Sequence, residues 1–159
     1  MIGYALSKRI DTDLTLAAFR AAVNSRHPPA GCIHHSDRGS QYAAKDYRDE
    51  IAKYKLVGSM SRRANPYDNA QCESFKKTLK VEEVYQTGYE SFADVARQIP
   101  RFINAIYNDE RLHSAFGYCS PINTNSGRQG EFRKTGCPAP GVHSTRWVNF
   151  TSAPTFTSQ

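Results

Sequence analysis

Apolar residues recur at helical spacing between Asp11 and Arg26, where Leu14, Leu16, Ala17, Phe19, Ala21, Ala22 and Val23 interrupt a polar background. This pattern predicts a helix starting at Asp11 or Thr12. His27-Pro28-Pro29 stops it, because proline fixes φ, lacks an N–H and pushes the preceding residue out of the helical region. Met1 to Arg9 reads as a strand, and Gly31 to His35 as a short buried strand ending at Ser36-Asp37-Arg38-Gly39. Ser40 is placed to cap a second helix, with Tyr47, Ile51 and Tyr54 along one face. Leu56 to Met60 forms another short strand, and Ser61 to Tyr67 a basic loop. Asp68 can cap a third helix, with Gln71 in the capping-box position. A fourth helix runs from Ser91 towards Asn108, bent at Pro100. Strands alternating with helices imply an α/β architecture with at least one parallel pair.

The pattern fades near residue 122. Residues 123–159 are rich in Ser, Thr, Asn, Gly and Pro, and Trp147 stands almost alone among them. Such a segment buries too little surface to offset its ordering entropy, so it is expected to be a mostly disordered tail behind a single domain over residues 1–122.

Composition agrees with a soluble globular domain: 39% of the 159 residues are hydrophobic and 23% charged. Lys and Arg number 21 against 15 Asp and Glu, a formal charge of +6. A polyanionic partner explains that excess, because cations on phosphates release condensed counterions, but a mildly basic surface explains it equally well. Cys32, Cys72, Cys119 and Cys137 have neither zinc-ligand nor disulfide-framework spacing and are expected as free thiols. No stretch approaches the roughly 20 apolar residues of a membrane span, and the N-terminus lacks a signal-peptide plan.

Two acids stand out. Asp37 follows a short buried strand, and ligands of open α/β sheets bind at the carboxyl ends of strands. A carboxylate in a turn ahead of a helix is nevertheless common without any ligand. Glu73 lies on the third helix, with Lys76, Lys77 and Lys80 on its face and Arg62 and Arg63 in the loop before it. One acid among five cations suits a metal-bound carboxylate meeting a phosphodiester backbone, but it also suits a solvated helix face with ion pairs. Periodicity alone leaves both readings open.

Thirty-five residues, positions 38 to 72, separate the two acids. That is the separation of the last two acids in DDE transposases and retroviral integrases, and the surrounding words agree. His34-His35-Ser36-Asp37-Arg38-Gly39-Ser40-Gln41-Tyr42 resembles the signature of the catalytic proteins of IS-three-family insertion sequences. Ser59-Met60-Ser61-Arg62-Arg63, Tyr67-Asp68-Asn69-Ala70 and Glu73-Ser74-Phe75 resemble the same family's next block. Tyr107-Asn108, Arg111, His113-Ser114-Ala115-Phe116-Gly117-Tyr118 and Ser120-Pro121 resemble its closing one. Together these motifs cover residues 1 to about 122.

The resemblance implies an RNase H-like (integrase catalytic core) α/β fold, a mixed sheet with flanking helices. It implies three carboxylates holding Mg²⁺ (or Mn²⁺), with Asp37 the second and Glu73 the third. The implied reaction is DNA transposition by phosphodiester cleavage and strand transfer, on element ends and target DNA. Arg62, Arg63, Lys76, Lys77 and Lys80 become DNA-contact candidates, His113 is as readily structural as catalytic, and His34 and His35 pack or bond beside the strand rather than ligate metal. The intact enzyme is expected to be a homo-oligomer of the bacterial cytoplasm, associated with the nucleoid and not with a membrane.

The first acid of the family has no counterpart here, since Ile2 to Ser7 resembles a segment downstream of it. Three expectations follow. The first strands of the sheet are missing, the strand before Asp37 has an unpaired edge, and the chain is catalytically inactive and marginally folded. The alternative is a non-catalytic DNA-binding or transposase-interacting protein using the basic surface from Arg62 to Lys80.

Overall fold

The computed structural model describes residues 1–63, 66–114, 117–126 and 147–149. Contacts divide them into two units, Ile2–Thr87 with Trp147–Asn149, and Met1 with the residues from Gly88 to Ser126.

In the first unit, helix α1 spans Thr12–Arg26. Its N-cap is Asp11, whose carboxylate accepts the Leu14 N–H at 2.9 Å, satisfying a donor that the first turn leaves without a helical partner. It ends where His27 turns left-handed (φ 44°) and returns its N–H to the Val23 carbonyl, ahead of the two prolines. Leu16, Phe19, Ala22 and Val23 face the core, whereas Ala17 and Ala21 point to solvent and Thr15 and Ala18 take inner positions.

Strand β1 (Ile33–Ser36) is followed by a short α2 (Ser40–Ala43), α3 (Lys45–Lys53) and strand β2 (Val57–Met60), which pairs parallel to β1. Ser40 makes no capping hydrogen bond. Gly39 holds the cap position, and extended backbone at Ala44 splits the expected single helix in two. Tyr42, Tyr47 and Ile51 still reach the core formed with Leu16, Phe19, Cys32 and Leu56. Burying these apolar side chains is the main favourable term holding the layers together.

Two expectations about the sheet are corrected. Met1 to Arg9 forms no strand, and among the described residues no strand pairs with it in a ladder. That segment instead lays Ile2 against the core and Gly3 on α1, so close that a Cβ at Gly3 would overlap Ala22. Strand β1 is also paired on both sides over Ile33 to His35: Trp147–Asn149 forms β3, parallel to it on the side away from β2, in the order β2-β1-β3. These three residues fell within the expected tail, most of which lies outside the described residues.

A 3₁₀ turn at Pro66–Asn69 leads into α4 (Ala70–Leu79), a π-helical turn at Lys80–Val84 and a last turn α5 (Tyr85–Thr87). Helix α4 buries Cys72, Phe75 and Leu79 and leaves Glu73, Lys77 and Lys80 exposed.

In the second unit, α6 (Phe92–Arg101) opens on a capping box between Ser91 and Asp94. Pro100 has no N–H for the helix ladder, and from Phe102 to Glu110 the chain continues as a wider π-helix. The Asn108 amide holds both the N–H and the C=O of Met1. Helix α7 (Pro121–Ser126) closes the unit. Cys119 is disulfide-bonded, so only Cys32 and Cys72 keep the expected free thiol among the described residues.

Candidate active site and nucleic-acid interface

Asp37 leaves the carboxyl end of β1 half-buried, and its Oδ1 accepts the Gly39 N–H at 2.8 Å in an Asx turn that aims the chain into α2. The exits of β1 and β2 are fastened together just there. Ser61 directs its N–H and its hydroxyl to the Ser36 carbonyl at 2.9 and 3.3 Å, and the His35 ring bridges the Ser59 and Ser61 hydroxyls at 3.0 and 3.1 Å. With the Ser61 hydroxyl hydrogen turned to Ser36, His35 must donate through Nε2 and accept the Ser59 hydroxyl at Nδ1. His34 points the other way, into the core, and meets the Tyr47 hydroxyl at 3.0 Å. Both histidines therefore serve the strand, as the sequence implies.

Glu73 stands in the first turn of α4, mostly exposed, and Lys76 Nζ lies 3.2 Å from its Oε1. Beside Glu73 the thiol of Cys72 is buried. Burial pushes its pKa up to about 11, Lys76 works against that rise, and both Asp37 and Glu73 add to it.

The cations are treated unequally. Arg62 pairs with Asp68: its backbone N–H and its Nε reach Oδ2 at 2.9 and 3.1 Å, and Nη2 reaches Oδ1 at 3.2 Å. These bonds hold the Asp68 carboxyl below its usual range and raise Arg62 above its own. Asp68 is thus not the N-cap expected of it. Asn69 precedes α4 without a side-chain capping bond, because the Asp68 carboxylate is turned back to Arg62. Lys76 is committed to Glu73, while Arg63, Lys77 and Lys80 are exposed without an ion pair among the described residues. Arg38 is an addition that the sequence had left unassigned, with its Nε donating to the Ser61 carbonyl at 2.8 Å. Its only sequence signal was its place beside Asp37.

Carboxylate oxygens suit a hard divalent cation, and Mg²⁺ takes one or two of them while keeping several waters. Asp37 and Glu73 fit one such ion in kind. Among the described residues no group of three or more His, Cys, Asp and Glu is gathered for a metal. His113 lies in the other unit, its ring edge-on to Tyr107 at 5.0 Å and its backbone N–H on the Cys119 carbonyl.

The integrase core domain matches this chain twice, over residues 1–66 and over residues 54–121. Relatives match over 121 residues, 76% of this chain. The chain belongs to the integrase-core family of insertion-sequence transposases. The "Transposase for insertion sequence element IS904" of Lactococcus lactis is 39% identical, and the match covers 48% of it. An "Insertion element IS600 uncharacterized 31 kDa protein" of Shigella sonnei is 44% identical, with 44% of it covered. The "Transposase InsF for insertion sequence IS3A" of Escherichia coli is 36% identical, with 42% covered. The chain thus spans less than half the length of these relatives. Its mixed helix and strand composition and small parallel sheet are compatible with the RNase H-like fold of an integrase core. Among the described residues no helix is long and apolar enough to cross a membrane.

Proposed function

We propose that this chain is part of the catalytic core of a transposase that cuts and joins DNA phosphodiester bonds. In that role Asp37 and Glu73 are the second and third of three metal-holding carboxylates. The observation that carries the reading is the integrase core match over residues 1–66 and 54–121, which takes in Asp37 at the end of β1 and Glu73 in the first turn of α4. A bound Mg²⁺ or Mn²⁺ would activate the attacking oxygen and steady the leaving one. The chain's own part is to hold Asp37 rigidly through the Gly39 turn and the His35–Ser61 fastening. It also presents Arg63, Lys77 and Lys80 to the phosphates and keeps Lys76 on Glu73 until a cation takes its place. The proposed substrates are element ends and target DNA, and the proposed chemistry is nicking followed by attack of a freed 3′-hydroxyl.

With two carboxylates instead of three, the 159-residue chain alone is expected to be inactive. Incubating the purified chain with Mg²⁺ and DNA that carries free 3′ ends tests this, with gel detection of joined products. Joined product that disappears in Asp37→Asn would refute the expected inactivity while supporting the role of Asp37. The exposed cations also favour a second reading, a protein that binds DNA without cutting it. Salt-dependent binding that survives Asp37→Asn and Glu73→Gln, with no joined product from the chain even when a separate core fragment supplies the first acid, would support that one.

A further inference from the structure

Arg38 sits one residue beyond Asp37 with its side chain exposed, and the Nε bond to Ser61 is its only hydrogen bond or ion pair among the described residues. Its anchor is fixed: Ser61 is buried, bonded twice to the Ser36 carbonyl and once to the His35 ring. A guanidinium tied down through Nε at an immobile carbonyl has already lost much of its rotamer freedom. Four of its five N–H bonds, those on the two terminal nitrogens, remain in one plane and available. That fork matches two oxygens of a phosphate, and prior ordering lowers the entropy lost on binding. Asp37 does not occupy it, since its hydrogen bond runs to the Gly39 N–H. Arg62 presents the contrasting case, with its own fork already closed on Asp68.

We propose that Arg38 binds a backbone phosphate of DNA lying against Asp37, through the two terminal nitrogens of a guanidinium that the Ser61 carbonyl holds in place. This deepens the DNA reading above and rests on it. Ser61 and His35 then act as positioning residues for a phosphate contact as well as for Asp37.

Anisotropy of a labelled DNA duplex, titrated with the full chain over a series of salt concentrations, tests the proposal. Arg38→Ala should flatten the slope of log K against log salt by about 0.9, one phosphate contact, and weaken binding roughly five- to ten-fold at low salt. Arg48→Ala, which removes the same charge from the exposed side of α3, should change both far less. Arg38→Lys keeps the charge without the fork, so it should restore the slope but not the affinity. Wild-type slope in Arg38→Ala, or full affinity in Arg38→Lys, overturns the proposal while leaving the DNA reading intact. If the unchanged chain shows no salt-dependent binding, both fail together.

Discussion

Mild acid should destabilise this protein before its carboxylates begin to titrate, and His34 is the reason. Its ring is 1% exposed, bonded to the Tyr47 hydroxyl at 3.0 Å and met edge-on by Phe19 at 5.4 Å. Burial, with a smaller push from the neighbouring His35, lowers its pKa from 6.5 to about 4. In the unfolded chain the same imidazole titrates near its ordinary value. Between those two values the unfolded state takes up a proton that the folded state refuses, so stability is full above about pH 6.5 and falls as the pH drops towards 4. Each pH unit within the window costs up to about 1.4 kcal/mol, and the whole window roughly 3. Glu50 beside Arg20 and Asp68 beside Arg62 also have lowered pKa values, but their losses begin only near the ordinary carboxylate range, close to pH 4. Urea unfolding followed by circular dichroism, at about pH 7 and about pH 5, isolates the effect when His34→Gln is run alongside. The unchanged chain should lose roughly 2 kcal/mol over that interval. His34→Gln should be weaker at neutral pH, having lost a fitted core group, yet nearly flat between the two. Equal losses in the two proteins would show that the proton goes elsewhere.

Phe19 is fully buried among His34, Tyr47 and Tyr54, so Phe19→Ala should cost about 3–5 kcal/mol in urea unfolding, and a loss below 1 would mean that the core does not close around it. Asp11→Ala removes the acceptor of the Leu14 N–H and should cost about 1 kcal/mol in the same assay, with Asp11→Asn largely sparing it. Asp68→Asn releases the Arg62 fork, so the salt slope of DNA binding should steepen by about 0.9; an unchanged slope would show that Arg62 faces no phosphate.

Features encoded within a few neighbouring residues were legible in the sequence. The Asp11 cap and the His27-Pro28-Pro29 stop bound α1 because each acts on backbone groups within one turn of itself. Where a residue had a distant competitor, local reading failed. Asp68 has the right spacing for a cap, but six residues upstream Arg62 offers both an N–H and a guanidinium, and a charge-assisted pair of donors outweighs one amide. Ser40 has the composition of a cap, but the Asx turn from Asp37 to Gly39 begins the helix one residue early. The strand at Trp147–Asn149 had no local signal at all, since its stability comes from the β1 edge it pairs with.

The same limit governs the candidate site. A sequence shows how many cations surround Glu73 but not which of them already have a counter-charge. Of the five it nominated, the fold places Arg62 against Asp68 and Lys76 against Glu73, leaving Arg63, Lys77 and Lys80. It adds Arg38, whose anchor is a backbone carbonyl and so leaves its charge uncancelled. A cation held by a carboxylate contributes to phosphate binding only after that pair is broken, whereas one held by a carbonyl contributes at once. On that argument the proposed attraction for DNA would fall to Arg38, Arg63, Lys77 and Lys80, with Arg62 and Lys76 joining only where DNA or a metal ion competes for Asp68 or Glu73.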